Sequence, residues 1–95
     1  MNKYEGIFIF KPDLNESQLE KEYSGAQETI EKHKGKIEKT EKWGKKKLAF
    51  EIKKFRDGFF LYTSFEAEPN SIKTLTEIFK IDNNILRAQI TRAGS

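Results

Sequence analysis

Apolar residues in this chain switch between a spacing of two and a spacing of about 3.6 in an order that leaves few folds open. Tyr4-Glu5-Gly6-Ile7-Phe8-Ile9-Phe10 is a short run of β formers, stopped by Lys11-Pro12-Asp13, and reads as a strand. Asn15 with Gln18 three residues later approximates a capping box. Leu19, Tyr23, Ala26, Ile30 and His33 then recur at helical spacing among Glu20, Lys21, Glu22, Glu28 and Glu31, which predicts an amphipathic helix ending near Gly35. Ile37 to Trp43 is a charged, weakly patterned strand. Leu48, Phe50 and Ile52 form a clearer one, with Ala49, Glu51 and Lys53 on its other face. The parity slips between the two: Ile37, Lys39, Glu41 and Trp43 are odd, the later apolar set even. Gly44 sits where a β-bulge would absorb that slip. The alternative is a hairpin with Lys45, Lys46 and Lys47 near its tip. Phe55-Arg56-Asp57-Gly58 is expected to be a turn on the strength of its Asp-Gly pair, followed by a strand from Phe59 to Ala67. Pro69 suits the start of a second helix bearing Ile72, Leu75 and Phe79, and Asp82-Asn83-Asn84 breaks it. Ile85 to Arg92 is a last strand, with Leu86, Ala88 and Ile90 alternating against Arg87, Gln89 and Thr91.

The resulting order, β-α-β-β-α-β, predicts an α+β fold of the ferredoxin-like type: a four-stranded antiparallel sheet with two helices on one face. The 95 residues fit a single domain over 1–95. One face of such a sheet is ordinarily open and polar. Here Phe8 and Phe10 oppose Ile7 and Ile9 in the first strand, and Phe59, Leu61 and Phe65 oppose Phe60 and Tyr62 in the third. Two apolar faces imply that a partner covers the one the helices leave bare.

The charge is unevenly placed. Residues 1–31 hold 3 basic and 7 acidic side chains, residues 32–56 hold 11 and 3, and residues 57–95 hold 4 and 5. A basic middle in an otherwise neutral to acidic chain reads as a footprint for a polyanion. A solvated lysine face is the plain alternative. The chain has no cysteine, so thiolate zinc sites and cysteine nucleophiles are excluded. The N-terminus lacks the pattern of a signal peptide and no run is long enough to span a membrane, so a cytoplasmic setting is expected. Catalysis is not expected. The single histidine, His33, falls on the apolar stripe near a helix end, where a structural role is the usual one. The first strand leads into its helix through Lys11-Pro12-Asp13-Leu14-Asn15, with no glycine-rich phosphate cradle. The topology is shared with the RNA-recognition motif, which stacks bases on aromatics of strands one and three. Arg56-Asp57-Gly58-Phe59-Phe60-Leu61-Tyr62 is similar to that motif only superficially, since Phe60 stands where a small residue is needed and Leu61 where an aromatic is.

Tyr4-Glu5, Pro12-Asp13-Leu14, Trp43-Gly44-Lys45-Lys46-Lys47-Leu48-Ala49-Phe50-Glu51-Ile52, Gly58-Phe59-Phe60 and Ile85-Leu86-Arg87 occur in this order, and together they resemble the bacterial small-subunit ribosomal protein six, or S-six, family. The resemblance runs from about Lys3 to Arg92 and is strongest in the middle block. It implies a structural constituent of the small ribosomal subunit, cytoplasmic and ribosome-associated, that pairs with ribosomal protein eighteen and binds the central domain of small-subunit RNA jointly with it. No cofactor, metal, membrane or small-molecule substrate is implied. The alternative is a stand-alone single-strand RNA-binding module resembling an RNA-recognition motif. Lys3 and Arg87 match family positions close to RNA. Arg92 is a further RNA candidate, and Lys53, Lys54 and Arg56 are candidates on charge alone. Lys45, Lys46 and Lys47 either touch phosphate or guard a sheet edge against strand pairing. Tyr4, Trp43, Phe59, Phe60, Leu61 and Tyr62 are expected to form the partner surface. The chain departs from many family members in stopping at Ser95, which puts tail-mediated partner contacts in question, and in carrying lysine where arginine is common.

Overall fold

The computed structural model describes residues 1–93, so the tail end at Ser95 lies outside the described residues. The elements are β1 (Asn2–Phe10), α1 (Glu16–Lys32), β2 (Lys36–Ile52), β3 (Phe55–Ala67), α2 (Pro69–Lys80) and β4 (Ile85–Arg92). The sheet order is β2-β3-β1-β4 with every pairing antiparallel, the ferredoxin-like arrangement.

Local chemistry explains most boundaries. Asn15 Oδ1 accepts the Gln18 N–H at 2.8 Å and Gln18 Oε1 accepts the Asn15 N–H at 3.0 Å, closing the expected capping box of α1. At the other end, the Gly35 N–H bonds to Ile30 O at 2.8 Å and the Lys34 N–H to Glu31 O at 3.0 Å, a Schellman motif. The left-handed residue of that motif is Lys34, at φ 65°, and not the glycine. Gly35 is demanded by crowding instead: a Cβ there would lie 2.5 Å from Ile30 Cγ2. His33 caps the helix, with Nδ1 2.9 Å from Thr29 O.

The strand boundaries correct two expectations. β2 is one 17-residue strand, and Lys45 to Lys47 lie along it rather than at a hairpin tip. A bulge between Lys42, opposite Leu61, and Gly44, opposite Phe60, leaves Trp43 as the extra residue, with Gly44 at φ 81°. The turn is not Asp57-Gly58. Ile52 pairs with Phe55 across a two-residue loop, Lys53-Lys54, at φ 49° and 71°. Both residues are left-handed, the type I′ geometry that matches strand twist. Each costs about 1–2 kcal/mol in a side-chain-bearing residue. Gly58 lies inside β3 because its Cβ would come within 2.6 Å of Ile9 Cγ2 and 2.8 Å of Phe10 O.

The core lies between the helices and one sheet face. Tyr4, Phe8 and Phe10 of β1 meet Leu61 and Phe65 of β3, with Tyr23, Ala26 and Ile30 of α1 and Leu75 and Phe79 of α2 above them. Phe8 packs edge-on against Phe79 at 4.7 Å, and Phe10 against Tyr23 at 5.5 Å.

Candidate functional site

The face without helices has two halves with different chemistry. Strand alternation places Lys3, Glu5, Ile7 and Ile9 of β1 on it, with Phe60 and Tyr62 of β3 and Arg87, Gln89 and Thr91 of β4. Ile7 faces Tyr62 and Gln89, and Ile9 faces Phe60 and Arg87.

The first half is a closed polar network. The bulge sets the Trp43 ring over Tyr62, 5.3 Å between centroids and nearly parallel. The Trp43 Nε1–H donates to Glu41 at 2.8 Å, and Lys39 reaches the same carboxylate at 2.8 Å. Lys39 first, and Trp43 second, hold the Glu41 carboxyl below its usual range. The Tyr62 hydroxyl donates to Glu5 at 2.6 Å, and that bond pushes its pKa up. The Lys46 ammonium lies 4.9 Å from the centre of the Trp43 ring. The tryptophan is thus committed to tyrosine, glutamate and lysine. The β1 positions facing it are aliphatic, so the two-strand stacking platform of an RNA-recognition motif is not assembled.

The second half is an apolar groove of about 270 Å³, floored by Ile7, Ile9 and Phe60 and walled by Leu48, Phe50 and Ile52 of the β2–β3 arm. Arg87, Gln89 and Lys47 rim it. Phe50 is 64% exposed. The second apolar run of β2 therefore does not return to the core; it lines a solvent-open slot. Leu48, Phe50 and Ile52 are site residues that do not stand among the candidates read from the sequence. Their alternation is visible in the sequence, but the register shifts again between Lys47 and Ile52, so parity alone does not assign their face.

The expected partner surface needs correction at three of its six positions. Tyr4 is 8% exposed and packs on Phe65, while Leu61 is 0% exposed; both point toward the helices, and no partner can reach them on the open face. Phe59 also packs against the helix-side core, with the Lys45 ammonium 5.8 Å from its ring. Trp43, Phe60 and Tyr62 remain on the open face. The nine cationic candidates do not form one patch. Arg87 stands at the groove rim and Lys3 on the same face roughly 20 Å along β1, counting strand rise. Lys3 lies 3.9 Å from Glu38. Arg92 is opposite Tyr4 and alternates to the helix side. Lys45, Lys46, Lys47, Lys53, Lys54 and Arg56 follow the arm, of which β2 is a sheet edge. Among the described residues, no cluster of three or more histidine, cysteine or acidic groups could hold a metal, and no helix is long and apolar enough to cross a membrane.

This fold and this site define a class: a small ferredoxin-like binding platform whose working chemistry is apolar contact bordered by cations. The family model described as ribosomal protein S6 matches residues 3–92. The small ribosomal subunit protein bS6 of Desulforamulus reducens is 33% identical over 94 residues, covering 99% of both chains. That of Clostridium kluyveri is 38% identical over 92 residues, covering 97% of both. The crystal structure of 30S ribosomal protein S6 from Thermotoga maritima superposes with a TM-score of 0.91 at 33% identity, covering 96% of this chain and 86% of that one. The chain belongs to the ribosomal protein S6 family of the bacterial small ribosomal subunit, a family of structural, ribosome-associated proteins of the cytoplasm rather than enzymes.

Proposed function

We propose that this chain binds the central domain of small-subunit ribosomal RNA together with ribosomal protein eighteen, and that neither contact suffices alone. The supporting observation is the groove, in which an apolar floor of Ile7, Ile9 and Phe60 meets the guanidinium of Arg87 at one rim. The apolar part suits a protein side chain, and the cation beside it suits a phosphate of RNA lying against both proteins. Lys3 supplies a second cation on the same face, and Trp43, Phe60 and Tyr62 the rest of the protein seat. A shared rim couples the two binding events, because each partner completes the other's surface.

Filter binding of small-subunit RNA with and without ribosomal protein eighteen tests this. The pair is expected to bind roughly tenfold or more tightly than this chain alone. Arg87→Ala is expected to lower the slope of log affinity against log salt by about one, the loss of one phosphate contact. Equal affinity with and without the partner would refute joint binding.

A further inference from the structure

The basic middle of the chain splits along the arm. On β2 before the bulge, Lys39 and Lys42 are neutralised by Glu41 and Glu20. Farther out, none of Lys45, Lys46, Lys47, Lys53, Lys54 and Arg56 forms an ion pair among the described residues. Lys45 and Lys46 rest over aromatic rings. The tip residues Lys53 and Lys54, and Arg56 just past them, are exposed and make no side-chain hydrogen bond among the described residues. Glu51 is the one carboxylate between Lys47 and Arg56.

The tip is also strained. A type I′ turn favours Asn-Gly or Asp-Gly, because both central residues take positive φ. This turn is built from two lysines at φ 49° and 71°. Neither lysine gains an ion pair or a side-chain hydrogen bond among the described residues. Strain that the fold does not use points to a role outside it. We propose that Lys53 and Lys54, with Arg56 beside them, form a phosphate-gripping tip that holds a ribosomal RNA backbone at a place distinct from Arg87. The charge decides for RNA over an acidic protein. Exposed ion pairs between proteins are worth little, whereas each phosphate neutralised on a polyanion releases a condensed counterion. The inference rests on the reading that the chain sits against RNA.

The test uses the whole chain with its partner protein and naked small-subunit RNA. Lys53→Asn/Lys54→Gly is expected to raise the thermal midpoint by about 5 °C by relieving the turn. It is also expected to lower the salt slope of RNA binding by about two, one for each lysine lost. Lys53→Arg/Lys54→Arg keeps the charge and is expected to keep the slope. An unchanged slope in the Asn-Gly variant overturns the proposal, and a midpoint that does not rise removes the strain it stands on and overturns it too. Weaker binding of the partner protein with an unchanged slope assigns the tip to an acidic protein segment, again against the proposal. If Arg87→Ala lowers the slope and the tip variant does not, the tip alone fails. If neither does, the RNA reading fails with it.

Discussion

Replacing Gly58 by alanine sets a backbone crowding argument against a turn argument. The added Cβ would sit 2.6 Å from Ile9 Cγ2, 2.8 Å from the Phe10 carbonyl oxygen and 3.6 Å from Leu86 Cδ1. Ordinary carbon contacts lie near 3.5–4.0 Å, so two of the three overlap by roughly 1 Å. Ile9 could turn its side chain, at the expense of the groove floor. The Phe10 carbonyl cannot move cheaply, because Phe10 pairs with Phe59 on one side and Ile85 on the other, and a shift disturbs both ladders. Overpacking a filled interior costs about 1–3 kcal/mol. A backbone obstacle puts this site in the upper half of that range, about 2–3 kcal/mol, less about 0.5 kcal/mol for the stiffer unfolded chain. In a domain this size the net cost of about 1.5–2.5 kcal/mol should lower the thermal midpoint by roughly 6–20 °C. Urea unfolding is the assay, and the midpoint should drop with an unchanged slope. Gly58→Asn separates the two explanations. A hairpin turn needing positive φ accepts asparagine readily, whereas a crowded strand position suffers from it at least as much as from alanine. Gly25→Ala is the control: no atom lies within 4 Å of its Cβ, and helix propensity predicts a gain of about 0.5–1 kcal/mol. A Gly58→Ala protein within about 0.5 kcal/mol of the parent would refute the crowding argument.

Two further outcomes follow from other parts of the structure. Burial, and then the neighbouring Asp82, raise the pKa of Glu22, whose carboxylate accepts the Asn84 amide at 3.0 Å. The folded state therefore keeps that proton to higher pH than the unfolded state, and this group removes stability as pH climbs from the usual carboxylate range through the raised value. Glu22→Gln should be more stable than the parent near neutral pH, with the gap closing at about pH 4, by urea unfolding at both; a gap that widens toward acid contradicts the sign. Phe50→Ala should change folding stability by no more than about 0.5 kcal/mol, since the ring is largely solvated. It should weaken binding of the partner protein by roughly tenfold or more in calorimetry, as loss of an aromatic anchor does. Unchanged partner affinity would take the partner out of the groove.

The legible features were those whose physics is local. The capping box of Asn15 and Gln18, the stripe of Tyr23, Ala26 and Ile30, and the parity slip at Gly44 each need only neighbouring residues to be recognised, and each is present. Asp57-Gly58 misled because its glycine answers to Ile9 and Phe10, some fifty residues away in sequence, and not to its own φ. The turn at Lys53-Lys54 left no trace because lysine is not a turn residue, and only the register of Ile52 with Phe55 reveals it. On the candidate site, alternation separated Phe59, Leu61 and Phe65 from Phe60 and Tyr62 correctly. With both sets apolar, it could not say which set the helices cover. That is why Tyr4, Phe59 and Leu61 stand among the expected partner residues, and packing returns them to the helix side.

The bulge at Trp43 decides what the arm can offer. Between an earlier register shift at Glu38 and this one, odd residues of β2 face the open side: Lys39 is opposite Ser64 and Glu41 opposite Tyr62. After it the even ones do, since Gly44 is opposite Phe60 and Lys46 opposite Gly58. Without the extra residue, Lys45 would face the open side and Lys46 would turn away from it. The extra residue therefore reverses which side chains of the following segment face the open side, as far as Lys47, where the register shifts again. It also moves Lys45 across to Phe59 and leaves Trp43 free to stack on Tyr62. Gly44 makes the exchange possible, because its φ of 81° is open to a residue without a side chain. The apolar wall and the cationic tip then belong to one hairpin, only a few residues apart. A partner protein that fills the groove and an RNA strand that meets the tip would thus press on the same hairpin, a condition for binding one to favour binding the other.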